Sequence, residues 1–173
     1  EIFLSFVFLQ ISQQLTLNFF PAIIYGTFSG FGITAGAHRL WAHGAYKANV
    51  PLRLFLVFLQ SVAFQNSVYE WTRDHRVHHK FTDTNADPHN ASRGFFFSHM
   101  GWLICKKHPD VKKYGQKVSM ADLEADPIIM FQHKYFIPIM IVCCFAIPTG
   151  IPMLFGVSFY KAFYMNMLRY VTV

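Results

Sequence analysis

The chain has 173 residues, of which 53% are hydrophobic and 18% aromatic, with apolar residues in long runs. That composition points away from a soluble globular domain and towards a membrane protein. The net charge of +6 raises nucleic acid as a partner, but the basic residues sit between apolar spans with no nucleic-acid motif, so a membrane surface or an anionic substrate fits better.

In chain order, residues 2–11 read as the end of an earlier span and Ser12 to Asn18 as a short polar turn. Residues 19–37 form an uncharged stretch close to the roughly 20 residues that a crossing helix needs. Gly26 with Gly30, and Gly32 with Gly36, give two small-xxx-small pairs, which suit close helix packing or a groove for an acyl chain. Residues 52–64 are apolar but too short to cross, so they are expected as an interfacial or buried helix. Residues 106–124 are polar and charged, as in surface loops and short helices. Residues 135–155 supply a further span, whose Pro138, Pro148 and Pro152 are tolerated where neighbours satisfy the freed carbonyls. Residues 159–173 read as the start of another.

Thirteen of the 15 Lys and Arg lie between Arg39 and Lys134, so the positive-inside rule places segment 38–134 in the cytosol. The expected fold is an all-α membrane protein, one domain over residues 1–173, with transmembrane hairpins and a cytosolic helical cap. Both ends fall inside apolar runs, so the chain is expected to be an internal fragment. Cys143 and Cys144 are adjacent within a span and Cys105 stands alone, which indicates neither a disulfide framework nor a CxxC metal site.

All nine histidines fall in the same middle segment. Five form two clusters: His38 and His43 in AHRLWAH, then His75, His78 and His79 in RDHRVHHKF. On a helix, His78 and His79 each lie within roughly 60° of His75, so one face can present all three. His38 and His43 are about 140° apart on a regular helix, which suits ligands to two neighbouring ions or a helix that unwinds near its end. Imidazole is a common ligand of iron and zinc. A closed structural zinc site usually includes cysteine and takes four ligands, and five histidines without cysteine exceed one tetrahedron. A dimetal site is favoured, with the metal left open by spacing alone.

The flanking sequence is more specific. GITAGAHRLWAHGAYKA, followed by AFQNSVYEWTRDHRVHHKFTDTNADPHNASRGFFFSHMGW, resembles the membrane-bound acyl-CoA desaturases of the stearoyl-CoA (delta-9) type over essentially the whole chain. The resemblance implies two iron ions, a fatty acyl-CoA substrate, dioxygen, cytochrome b5 as electron donor, and the endoplasmic reticulum membrane, with the histidine boxes facing the cytosol. It implies that His38, His43, His75, His78 and His79 are iron ligands. The family's third histidine box would lie beyond Val173, so the fragment by itself is expected to be inactive. Asn66, Arg73 and Asp74 then correspond to polar contacts with the acyl-CoA head group, Lys106 and Lys107 to phosphate contacts, and Gln65 and Trp71 to the lining of the acyl tunnel. Other members often carry Arg where this chain has Lys106, a point charge in place of a bidentate fork. His89 in ADPHN is the candidate to support the ligands from behind. The rival readings are a membrane diiron fatty acyl hydroxylase and, outside enzymes, a metal-binding membrane carrier.

Overall fold

The computed structural model describes residues 23–171, so the expected span at residues 2–11 and the turn after it lie outside the described residues. Among the described residues every regular element is helical. The first helix, α1, runs over residues 23–42 and continues past the expected end at residue 37, with Gly32–Ala42 wound as a π-helix. It is followed by α2 (Val50–Ala63), α3 (Val68–Phe81), α4 (95–104), α5 (Pro109–Gly115), α6 (Ala121–Glu124), α7 (Pro127–Lys134), α8 (Phe136–Leu154) and α9 (Phe159–Val171).

Local chemistry sets the starts of the helices that matter. The Asn49 side chain accepts from the Leu52 N–H at 3.1 Å, with Pro51 in the first turn of α2. Ser67 accepts from the Glu70 N–H at 3.3 Å and opens α3, its hydroxyl also 3.2 Å from the Glu70 carboxylate. Asp126 accepts from the Ile128 N–H at 3.0 Å and opens α7 at Pro127. The same Asp126 meets Arg53 of α2 at 2.6 Å, so one carboxylate both caps α7 and ties it to α2.

The glycine pairs divide. Gly32 lies where α1 crosses α2 so closely that a Cβ there would overlap the Gln60 nitrogen and the Leu59 carbonyl carbon, and one at Gly36 would press on Trp41 and Leu56. Gly30 faces open space. Close packing is therefore the role of Gly32 and Gly36. Leu40, Trp41, Leu56, Val57, Val68, Met120, Leu123 and Ile129 form the buried cluster at the junction of α1, α2, α3, α6 and α7. Beside it, fully buried Gln132 donates to Gln60 at 2.9 Å and accepts from the Val68 N–H at 3.1 Å, while Gln60 donates to the Asn66 carbonyl. Buried amides cost little when so paired, and these pin the start of α3 against α2 and α7.

Helix α8 is long and apolar enough to cross a membrane. Pro148 has no N–H to offer the carbonyls one turn back, and both are met from outside the helix. The Cys143 carbonyl accepts from the Tyr25 hydroxyl at 2.8 Å, and the Cys144 carbonyl accepts from Asn166 at 2.9 Å and Arg169 at 3.3 Å. This is the neighbour compensation expected of a proline-bearing span, and it seats α9 and the start of α1 against α8.

Candidate metal centre

The π-winding of α1 decides the first histidine pair. Its end is closed by an i to i−5 bond, in which the His43 N–H donates to the His38 carbonyl at 3.0 Å. In such a ladder residues five apart stack, as residues four apart do on an α-helix. The 140° separation of a regular helix is removed, and the two rings sit 4.6 Å apart on one face. Of the two possibilities that spacing leaves open, an altered helix is the one found, though as a π-turn and not an unwound end.

Helix α3 packs across this face and brings His75 and His79, four residues apart, against the pair. One nitrogen from each of His38, His43, His75 and His79 falls within 4.8 Å of the others. The Nε2 atom of His75 is the hub, 3.1 Å from Nε2 of His43 and 3.0 Å from Nε2 of His79. An imidazole nitrogen has a single in-plane site, a proton or a lone pair, so it cannot form good hydrogen bonds to both neighbours at once. Three nitrogens at these distances instead surround a common point. Ligand nitrogens around an ion with bonds near 2.1 Å would be about 3.0–3.4 Å apart, so the donor set fits a metal.

The electrostatics agree. His75 is pushed down to about 3, first by burial and then by the neighbouring imidazoles His38, His79, His43 and His78. His38 and His79 are likewise lowered, with burial the largest cause and His43 the next. Lowered in this way, His75, His38 and His79 favour the neutral form, with lone pairs available to a metal. Trp71 lies stacked on His75 with ring centres 4.8 Å apart, and meets His38 edge-on at 6.2 Å, which fixes the plane of the hub ring.

His78 does not join the four. Although it is within 60° of His75, it is a full 100° from its neighbour His79, and α3 turns it away towards the loop after Phe81. There its Nδ1 meets Asp87 Oδ1 at 2.9 Å, and its ring lies 5.3 Å from that of His89. Asp87 is buried and also accepts from the backbone N–H groups of Asp83 and His89, each at 2.9 Å, so the carboxylate shapes the loop and holds the histidine together. A carboxylate on Nδ1 sets the tautomer and leaves Nε2 with a lone pair. His89 packs edge-on against Trp102 at 4.2 Å and is lowered, mainly by burial and next by His78. It thus packs beside His78.

The substrate candidates separate into three places. Arg73 and Lys107 both meet the buried Asp74, at 3.1 and 2.5 Å. Lys106 and Lys107 line a cleft of about 380 Å³ with Arg93, His108, Asp87 and Trp102. Trp71 is on the histidine cluster. Gln65 and Asn66 occupy the turn between α2 and α3, roughly two helical turns before Arg73, where Phe64 and Asn66 adopt positive φ of 54° and 64°. Sequence reasoning did not single out Asp87 or Arg76. Asp87 carried a signal in ADPHN, as an acidic residue beside a histidine; Arg76 carried none, since only the fold brings its partners together.

Comparison with known proteins agrees with this geometry. The family model "Fatty acid desaturase" matches residues 15–173. The chain is 59% identical over 141 residues to the acyl-CoA Delta-9 desaturase of Acheta domesticus, covering 82% of this chain and 39% of that protein. It is 55% identical over 151 residues to the acyl-CoA Delta(11) desaturase of Choristoneura rosaceana (87% and 45%). It is 54% identical over 153 residues to the human stearoyl-CoA desaturase (87% and 43%). The chain thus spans about two-fifths of the length of these curated relatives. Matched by the family model over nearly its whole length, and by these relatives over more than four-fifths of it, the chain belongs to the fatty acid desaturase family.

Proposed function

We propose that this chain carries part of the metal centre and of the acyl-CoA surface of a membrane-bound acyl-CoA desaturase, which introduces a double bond into a saturated acyl chain. The observation that carries this is the convergence of His38, His43, His75 and His79 from two helices onto one point, with no thiolate or carboxylate among them. Two irons are the proposed metals, a choice supported by the all-imidazole donors and by the family. One belongs to the four-histidine cluster and the other to the side of α3 where Asp87 orients His78. When bound, the iron supplies the activation of dioxygen that makes unactivated methylenes reactive.

The chain's own residues bind and orient. Trp71 holds the hub imidazole in plane and forms a flat apolar wall beside it. Asp87 keeps the proton of His78 on Nδ1. Lys106, Lys107 and Arg93 make the cleft a cationic seat for the phosphates of coenzyme A, with Asp74 fixing Lys107 and Arg73 in place. Because methylenes along a chain are chemically alike, the position of the new double bond depends on where the acyl chain is held against the metals. Both a Delta-9 and a Delta(11) enzyme are found among the relatives at similar identity.

In this proposal α8 and the start of α1 cross the endoplasmic reticulum membrane, α9 begins a further crossing, and segment 38–134 forms the cytosolic cap, where cytochrome b5 delivers electrons. The test is to express the full-length protein in yeast lacking its own acyl-CoA desaturase and to analyse acyl products by mass spectrometry. Monounsaturated chains and growth without added unsaturated fatty acid are expected. A hydroxylated product with no alkene would replace this reading with a hydroxylase, and metal transport without any product would replace it with a carrier.

A further inference from the structure

The two helices that bring the four histidines together end or pass at one side chain outside the cluster. Arg76 lies on α3 next to His75 and is largely buried, with 18% of its side chain exposed. Its terminal nitrogens have four N–H groups, and each has a matching acceptor. One nitrogen donates to the Trp41 carbonyl and to one Asp122 oxygen, both at 2.6 Å; the other donates to the second Asp122 oxygen at 2.8 Å and to the Ser119 carbonyl at 2.7 Å.

The Trp41 carbonyl belongs to the last turn of the π-segment, between His38 and His43, where a helix runs out of N–H partners for its carbonyls. A cation there also faces the negative end of the helix dipole. A second outside donor acts higher on the same segment, where the Tyr46 hydroxyl donates to the Ala35 carbonyl at 2.7 Å. The π-winding that stacks His38 over His43 is therefore held by side chains outside it, and Arg76 is the one that ties it to the helix carrying His75 and His79. Asp122 is held below the usual carboxylate range, mainly by its bond to Arg76.

We propose that Arg76 is a positioning residue for the metal centre, a fork that fixes the end of the π-turn of α1 on α3 with Asp122 holding the fork in line. This rests on the metal-binding reading of the four histidines. Lysine is no substitute, because a single ammonium lacks the planar fork that spans the Trp41 carbonyl and both Asp122 oxygens.

The test uses the full-length protein purified in detergent, with Arg76→Lys and Asp122→Asn variants and His75→Ala as control. Metal per chain is measured by elemental analysis, its release to EDTA is timed, and thermal unfolding is followed in parallel. Cobalt(II)-loaded samples report ligand geometry by visible absorption. Both variants are expected to release metal about tenfold faster or more and to shift the cobalt bands, with the unfolding temperature of Asp122→Asn little changed, since Asp122 is 60% exposed. Release rates and cobalt bands like those of the unmodified protein would overturn the proposal, as would metal loss that only follows a fall in unfolding temperature. If His75→Ala keeps its full metal content, the site reading itself fails; if His75→Ala loses metal while both variants keep it, only the role of Arg76 fails.

Discussion

Helix α3 presents two unlike faces. On the front, His75 and His79 meet His38 and His43, so four imidazoles are gathered from two helices with no carboxylate between them. On the back, a single histidine of the helix, His78, meets a loop that supplies Asp87 and His89. The front is made by helix packing and the back by loop chemistry. That back face is also the one that opens to the basic cleft, since Asp87 and Trp102 line it with Lys106 and Lys107. One 14-residue helix thus separates donors assembled by tertiary structure from a donor oriented within a short stretch of sequence.

The contrast can be broken most severely at the hub. Replacing His75 by alanine in the full-length protein is expected to abolish desaturation and to strip the front-face metal, checked by acyl product analysis and elemental analysis; retained turnover would end the hub assignment. On the back, Asp87→Asn keeps the shape but loses the charge that orients His78. A fall of roughly 10–100-fold in metal affinity or activity is expected, with the front-face metal retained. Equal loss from both faces would show them to be one unit.

Gly32→Ala moves the front alone, because the added methyl meets the α2 backbone and shifts α1. A cost of about 1–3 kcal/mol is expected in thermal unfolding, while Gly30→Ala, facing open space, is expected to be near neutral. Acidity comes next. The metal-free protein binds no proton at His75 until about pH 3, whereas the unfolded chain takes one near 6.5. Between those values the unfolded state holds more protons, so stability falls as pH drops from 6.5 towards 3 and is unaffected above. Circular dichroism of metal-free protein across that range should show progressive loss, and His75→Gln should make it shallower, with lowered His38, His79 and His89 supplying the remainder. The smallest effect belongs to Lys106→Ala. Its exposed ammonium is a point charge worth about 1 kcal/mol or less, read as a modest rise in KM for acyl-CoA that fades in salt.

The back face was the more legible of the two in the sequence. ADPHN places an acid and a histidine a few residues after His78 and His79, and loops of that length keep partners local. The short apolar run at 52–64 and the span at 135–155 were legible for a different reason, since length against bilayer thickness is a one-dimensional property, and the helices found at Val50–Ala63 and Phe136–Leu154 follow it closely. The front face was half legible. The spacing of His38 and His43 allowed irregular winding as one of two possibilities, but a π-turn depends on what grips its carbonyls, and of those grips Tyr46 is local while Arg76 acts across the fold. The divergence of His78 from His79 is the 100° between adjacent helix residues, which their shared closeness to His75 conceals. No periodicity marks Asp74 as the meeting point of Arg73 and Lys107, because the lysine comes from a segment 33 residues away.

The stacking of Trp71 on His75 gives the protein a built-in optical gauge. The chain has three tryptophans, and two of them lie against histidine rings: Trp71 on the hub ring and Trp102 on His89, while Trp41 belongs to the buried core cluster. Two of its three indoles therefore report on the histidine region. A paramagnetic ion drawn into the cluster would dim that light, so loading and stripping can be followed in real time without a label.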